Sequence, residues 1–193
     1  MLKKATFLSL VFIIIIGNAS YCQTNPFVGK LGTVKMNAGF SMADYWVWCG
    51  SVIKGEDGLY HMFASRWPKK FPFHPSWMVT SEVVRAVSGS LEGPYEFQEV
   101  VLPARGAQYW DGRATHNPSI TKVGDEYVLF YMGSTHPFDD PVSADQLTLS
   151  SYFATVGRAN KRIGIATSKS LNGPWCVRMI RRYQQNQIPF IAF

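Results

Sequence analysis

Residues 81–95 read SEVVRAVSGSLEGPY, and residues 161–175 read KRIGIATSKSLNGPW. Aligned on their Gly-Pro pairs, Ala86, Ser88, Ser90, Leu91, Gly93 and Pro94 fall on Ala166, Ser168, Ser170, Leu171, Gly173 and Pro174. Each copy follows a second matched stretch, SVIKGEDGLYHMFAS at 51–65 and SITKVGDEYVLFYM at 119–132. Both of these read as hairpins. Their turns are Glu56-Asp57-Gly58, with Gly58 where a positive φ is needed, and Val123-Gly124-Asp125. A repeat of this size points to a modular all-β architecture.

Working outward, the first unit reads as strands at 50–54, 59–65, 81–87 and 95–101, with a Pro-, Lys- and Phe-dense loop at 66–75. The second has strands at 117–121, 126–132 and 162–168, a long insertion at 133–160, and a fourth strand due from Trp175. Four short antiparallel strands per unit match a propeller blade, and a two-blade ring cannot close. The expected layout is a leader at 1–22, a lead-in at 23–45, a first blade at 46–103, a linker and second blade at 104–175, and an atypical tail at 176–193. That tail, CVRMIRRYQQNQIPFIAF, has no turn signal and no acidic residue. A truncation or frameshift just after Trp175 is the expectation it raises.

The net charge of +6 suggests an acidic partner until it is located. Lys3 and Lys4 lie in the leader, and Arg178, Arg181 and Arg182 in the tail. Residues 23–175 hold 14 Lys+Arg against 13 Asp+Glu, so no basic stripe marks a nucleic-acid surface. Lys3 and Lys4, the apolar run 5–16, the break at Gly17-Asn18 and the small-x-small pattern Ser20-Tyr21-Cys22 read as a secretory signal. The apolar run is too short to span a bilayer. Lipid attachment at Cys22 is the alternative; either way an exported protein without an internal membrane span is expected. Cys49 and Cys176 could pair after export or stay as free thiols. No C-x-x-C or other metal spacing is present, and no cofactor is expected.

The chain resembles the secreted five-bladed propeller glycosidases of the family 43 type and its relatives. The residues that carry the resemblance are Asp57-Gly58-Leu59-Tyr60-His61-Met62-Phe63, the blade opening His116-Asn117-Pro118-Ser119-Ile120, and the A-x-S-x-S-L-x-G-P-[YW] ending of both blades. It covers about residues 44–175. The resemblance implies a glycan substrate and hydrolysis by two carboxyl groups placed across the scissile bond. It implies that those carboxylates stand at the openings of successive blades. Here the second blade opens Asn117-Pro118 where members have Asp-Pro, and the first opens Trp48-Cys49-Gly50-Ser51, again without a carboxylate. The acid would come from a third blade.

The candidate residues follow. Asp44, just before the first blade, is the candidate base, or else a turn residue bonded to nearby backbone. His116 is the second catalytic candidate, as acid or donor to substrate, and Asn117 would bind a sugar hydroxyl; a structural histidine and a strand-start Asn-Pro are the alternatives. Trp110, Asp111 and Arg113 offer a platform, a carboxylate and a guanidinium, or else an Asp111–Arg113 ion pair. Arg66 and Trp67 line the rim or a solvated loop. Trp46, Trp48, Trp77 and Trp175 are inter-blade core or, in Trp48 above all, sugar platform. Glu82 and Arg85 form a structural ion pair, and His136, Asp139 and Asp140 a rim or a cation site.

Overall fold

The structure is a computed structural model that describes residues 25–30, 32–33 and 35–179. The leader, Cys22 and the tail from residue 180 lie outside the described residues. The chain divides into Met1–Lys35 and Met36–Phe193. In the first unit, residues 25–30 form a turn in which Asn25 Oδ1 accepts from the Phe27 amide at 2.9 Å.

In the second unit two four-stranded antiparallel sheets follow one another in sequence order. The first holds β1 (Tyr45–Lys54), β2 (Tyr60–Pro68), β3 (Glu82–Ser88) and β4 (Glu96–Leu102). The second holds β5 (Ala114–Val123), β6 (Glu126–Ser134), β7 (Arg162–Ser168) and β8 (Cys176–Met179). β1 and β5 adjoin across the boundary between the sheets. These are two propeller blades that do not close a ring.

The repeated sequence has a local reason. In each copy the first serine hydroxyl accepts the amide two residues on, Ser90 N to Ser88 Oγ and Ser170 N to Ser168 Oγ, both at 3.1 Å. The second serine does the same for Glu92 and Asn172. Gly93 and Gly173 then take φ of 90° and 80°, which only glycine adopts without cost, ahead of cis prolines. Two hydroxyl-capped turns and a left-handed glycine bring β3 into β4, and β7 into β8.

Between the blades lies the main core. Phe63 and Val83 of the first blade pack on Ile120, Leu129, Tyr131 and Ala166 of the second, with Trp175 edge-on to Phe63 at 5.4 Å. Each such fully buried side chain stabilises the fold by about 1.5–3 kcal/mol. Registers Ser51↔Phe63 and Ser119↔Phe130 make Phe130 the counterpart of Phe63, and by the same alignment Ile163 the counterpart of Val83. Phe63 and Val83 are 0% exposed; Phe130 and Ile163 are 39% and 54% exposed. The outer face of the second blade thus presents uncovered the surface that the first blade buries.

Several elements run past the expected bounds. β1 begins at Tyr45, β2 continues through Arg66–Pro68, and Cys176–Met179, expected in the tail, pair with β7 as β8. The two expected loops carry helices, α1 (Phe73–Thr80) and α2 (Tyr152–Ala159). Within α1 His74 is extended, so regular helix starts at Pro75, whose fixed φ suits a first helical position. Ser151 caps α2 by accepting from the Ala154 amide. Phe71, Met78 and Val79 pack on Leu147, Phe153 and Ala154, joining the helices in a second core over the start of β5.

Candidate functional site

β1 and β5 share one irregularity. Pairing with the neighbouring strand shifts between Trp48 and Ser51 in β1, and between His116 and Ser119 in β5. Inside these bulges Cys49 has φ 55° and Asn117 φ 51°, the only non-glycine positive values among the described residues. A bulge re-aims its side chain out of the pleat, and the left-handed backbone costs a residue with a Cβ about 1–2 kcal/mol. The surroundings hold the turn. Ser65 Oγ accepts the Asn117 amide at 2.9 Å, and Ser51 Oγ accepts the Ile120 amide at 3.1 Å.

α1 lays aromatic rings beside these openings. Phe73 sits 5.5 Å from Trp46, 5.4 Å from Trp48 and 5.1 Å from Trp67, while Trp48 remains 55% exposed. Trp77 stacks on His116 at 4.6 Å and donates its indole N–H to His74 Nδ1 at 2.8 Å. Trp67 meets His116 edge-on at 5.5 Å. His116 is 4% exposed, and its Nδ1 has no hydrogen-bond partner among the described residues. Burial, and then the nearby Lys161 ammonium, push its pKa down to about 4. The imidazole is therefore neutral at pH 7. Lys161 Nζ lies 5.3 Å over the Trp77 ring. Beside it opens a cleft of about 380 Å³ bounded by Asn117, Lys161, Arg162, Met132, Phe130 and Ile163.

This arrangement offers aromatic faces, an amide with two donors and an acceptor, and a neutral buried imidazole. Neither bulge carries a carboxylate. The Cys49 thiol is held protonated by burial, which raises its pKa, so it is no ready nucleophile. Asp44 is exposed at the start of β1, its carbonyl accepting from the Lys69 amide at 2.9 Å. Among the sequence candidates, Trp48, His116 and Asn117 stand at the strand openings.

The others go elsewhere. Asp111 is 1% exposed and accepts from Tyr131 Oη at 2.6 Å and from Arg105, so both oxygens are engaged. Tyr131 stays a phenol, its pKa raised by burial and by that carboxylate. Arg113 pairs not with Asp111 but with Asp140 Oδ1 and the Phe138 carbonyl, both at 2.7 Å. Trp110 stacks on Tyr131 at 5.7 Å over Gly133 and Gly164, where a Cβ would overlap its ring. It is a packing residue, not an open platform. Arg66 is neither rim nor solvated. It is 8% exposed, bonded to Glu82 at 2.8 Å and held between the Tyr45 and Phe97 rings at 4.2 and 4.6 Å. Arg85 correspondingly pairs with Glu99 at 2.9 Å rather than Glu82. Cys49 and Cys176 are free thiols. His136 is buried between Phe138 and Phe153.

Sequence reasoning gave no role to His74 or Lys161 and favoured core for Trp77. Lys161 opens the second copy of the repeat opposite Ser81, and that lysine-for-serine difference was the available signal. Nothing in the loop composition announced a helix that would carry His74 and Trp77 to His116.

No protein-family model matches the chain, and no curated protein matches it. Solved structures do. A family 117 glycoside hydrolase from the marine bacterium Zobellia galactanivorans superposes with a TM-score of 0.52 at 15% identity, over 69% of this chain and 38% of that one. A putative glycoside hydrolase from Parabacteroides distasonis gives 0.46 at 18% identity, over 68% and 31%. The GH43_1 enzyme from Xanthomonas citri, complexed with xylotriose, gives 0.47 at 11% identity, over 73% and 34%. The chain spans well under half the length of each. Its two sheets, in sequence order with bulged strands at their junction, are two blades of the propeller fold seen in the Zobellia enzyme.

Proposed function

We propose that the chain is the blade-one and blade-two portion of an exported, glycan-acting propeller of the glycoside hydrolase type, and that sugar binds at the openings of β1 and β5. One observation carries this reading. Two bulges at matching positions turn Cys49 and Asn117 out of their strands beside a cluster of aromatic rings. Asn117 would bond a hydroxyl, and Trp48 and Phe73 would offer apolar faces to the ring. His116, neutral at pH 7, suits the role of hydrogen-bond partner better than that of general acid. Asp44 remains the proposed base.

Hydrolysis needs a second carboxyl group across the bond. The bulge positions supply a thiol and an amide, and Asp111 is committed to Tyr131 and Arg105. We infer that the chain alone binds glycan without cleaving it. The same observation favours a second reading, a propeller that binds glycan and has no catalytic role. No helix among the described residues is long and apolar enough to cross a membrane.

Calorimetric titration of the full chain with a panel of trisaccharides, followed by product analysis, tests the proposal. Binding that drops at least about tenfold in Asn117→Ala, with no cleavage product, is expected; tenfold corresponds to about 1.4 kcal/mol. Absence of binding across the panel would overturn the glycan reading. Cleavage abolished by Asp44→Asn would overturn the inference that the chain is inactive.

A further inference from the structure

We propose that the helix pair α1–α2 is a cover over the start of β5 that acid releases, through the two buried imidazoles of His116 and His136 on which it rests.

Three of the four histidines are buried, His61, His116 and His136, at 2%, 4% and 1% exposed. His61 is anchored at both nitrogens, Nε2 to the Asp57 carboxylate at 3.1 Å and Nδ1 to the Arg85 guanidinium at 3.0 Å. The other two differ. Nδ1 of His116 and both ring nitrogens of His136 are buried without a hydrogen-bond partner among the described residues. Buried polar atoms are ordinarily bonded, so each exception calls for a reason. Both exceptions lie against the helices. Trp77 of α1 stacks on His116 at 4.6 Å. Phe153 of α2 meets His136 edge-on at 5.1 Å, and Phe138 stacks on it at 5.8 Å.

The surroundings oppose an imidazolium at either place. Lys161, at the entry to β7, is the charged group acting on His116. His74 of α1 reaches that stack only as acceptor of the Trp77 indole N–H at 2.8 Å. Arg113, ahead of β5, and Asp140, in the insertion, act on His136. Asp140 and the Phe138 carbonyl favour a charged His136, but both already accept from Arg113 at 2.7 Å. Each ring therefore has a cation near it and no uncommitted counter-charge. Burial first, and then that cation, hold both rings below the ordinary histidine range, His116 at about 4.

Protonation favours states in which these rings leave their helices for water. The blades need not follow. Phe71, Met78, Val79, Leu147, Phe153 and Ala154 form a core of their own, separate from the one between the blades, which contains no histidine. Such a unit can open at lower free energy than the whole fold. The opened state takes up the proton first, so the closed state is fully favoured above about pH 6.5 and loses ground as pH falls. Each histidine raises the opening constant by up to about tenfold per pH unit until its folded pKa is reached. Because α1 carries Phe73 and Trp77, the aromatic platform would leave with it. That consequence rests on the glycan-binding reading, whereas the release does not.

Hydrogen exchange of the full chain without sugar, corrected for intrinsic rates and followed from about pH 7 to about pH 4.5, tests the release. Amides of Phe73–Thr80 and Tyr152–Ala159 should lose protection at least about tenfold more than those of β2, β6 and β7. His116→Phe/His136→Phe should remove that difference. Proton NMR of the histidine rings in the wild type needs no variant, and both rings should titrate in step with helix opening. The inference is overturned if helix and strand amides lose protection together, if the helices stay protected while the rings titrate, or if helix opening persists in the double variant. Trisaccharide affinity should fall in parallel with helix opening. Opening at unchanged affinity leaves the cover standing and counts against the aromatic platform for sugar.

Discussion

Cys49 and Asn117 adopt one left-handed backbone with two unlike side chains. Asparagine visits that region with modest penalty, whereas cysteine has no local bond to offset it. Cys49→Gly should therefore leave stability within about 0.5 kcal/mol, as relief of strain offsets the freedom glycine gains in the unfolded chain. Cys49→Val, branched at Cβ, should cost about 2 kcal/mol. Urea unfolding of both variants checks this, and equal midpoints would show that the bulge is not strained. His116 makes a second residue-scale prediction. Its folded pKa of about 4 lies below the ordinary 6.5, so the unfolded chain takes up the proton first as pH falls. Stability is then fully present above pH 6.5 and declines towards pH 4, by up to about 3 kcal/mol. His136, also lowered by burial, acts in the same direction. His116→Phe should make the decline shallower, and an unchanged slope in pH-dependent unfolding would count against the depressed pKa. None of this was legible in the sequence, because a positive φ at cysteine and a desolvated ring are set by neighbours distant in the chain.

The strands were legible as elements and the helices were not. The repeat marked β6 and β7, since 126–132 and 162–168 match 59–65 and 82–88 of the first copy. β2 outran its expected end since Arg66, which looks like a loop residue, is buried between Tyr45 and Phe97 and bonded to Glu82. α1 hid because its residues are buried on several sides by β2, β5 and α2, which leaves no single apolar stripe to read. The turn before β5 misled in another way. Gly112 folds back so that its carbonyl accepts from the amides of Arg105 and Gly106 at 2.8 and 3.0 Å. That brings Arg105, not Arg113, to Asp111. At this scale Tyr131→Phe should cost about 1–3 kcal/mol by removing a donor to a buried carboxylate. Asp111→Ala should cost about 1–3 kcal/mol by leaving the buried Tyr131 hydroxyl without its acceptor, while the partly exposed Arg105 turns to water. Thermal unfolding of both distinguishes this network from an open binding site, where either loss would be small.

For the whole molecule, the repeat foretold two blades, and comparison of one copy with the other gives the next expectation. Phe63 and Val83 are sealed between blades, whereas their counterparts Phe130 and Ile163 face outward. The chain should self-associate as its concentration rises, through this exposed apolar face. Phe130→Lys/Ile163→Lys should lower the mass seen by sedimentation at a given concentration with little change in melting. Phe63→Ala, at the buried counterpart, should instead cost about 3–5 kcal/mol. Association undiminished in the double lysine variant would place the contact elsewhere.

β1 and β5 belong to different sheets, so no ladder of backbone bonds can join them. Scattered bonds along β5 stand in for it: Ser51 of β1 and Ser65 of β2 hold the Ile120 and Asn117 amides, and Thr115 bonds to Ser81 and to the Val83 amide. A single grip would act as a swivel, leaving one blade free to rotate about the other. Grips spread along β5 from Thr115 to Ile120, before and after the Asn117-Pro118 bulge, act as a latch that sets the angle between blades. They also fix how far Asn117 reaches. Ser51→Ala should therefore loosen the geometry of Asn117 from a distance, without touching whatever Asn117 binds.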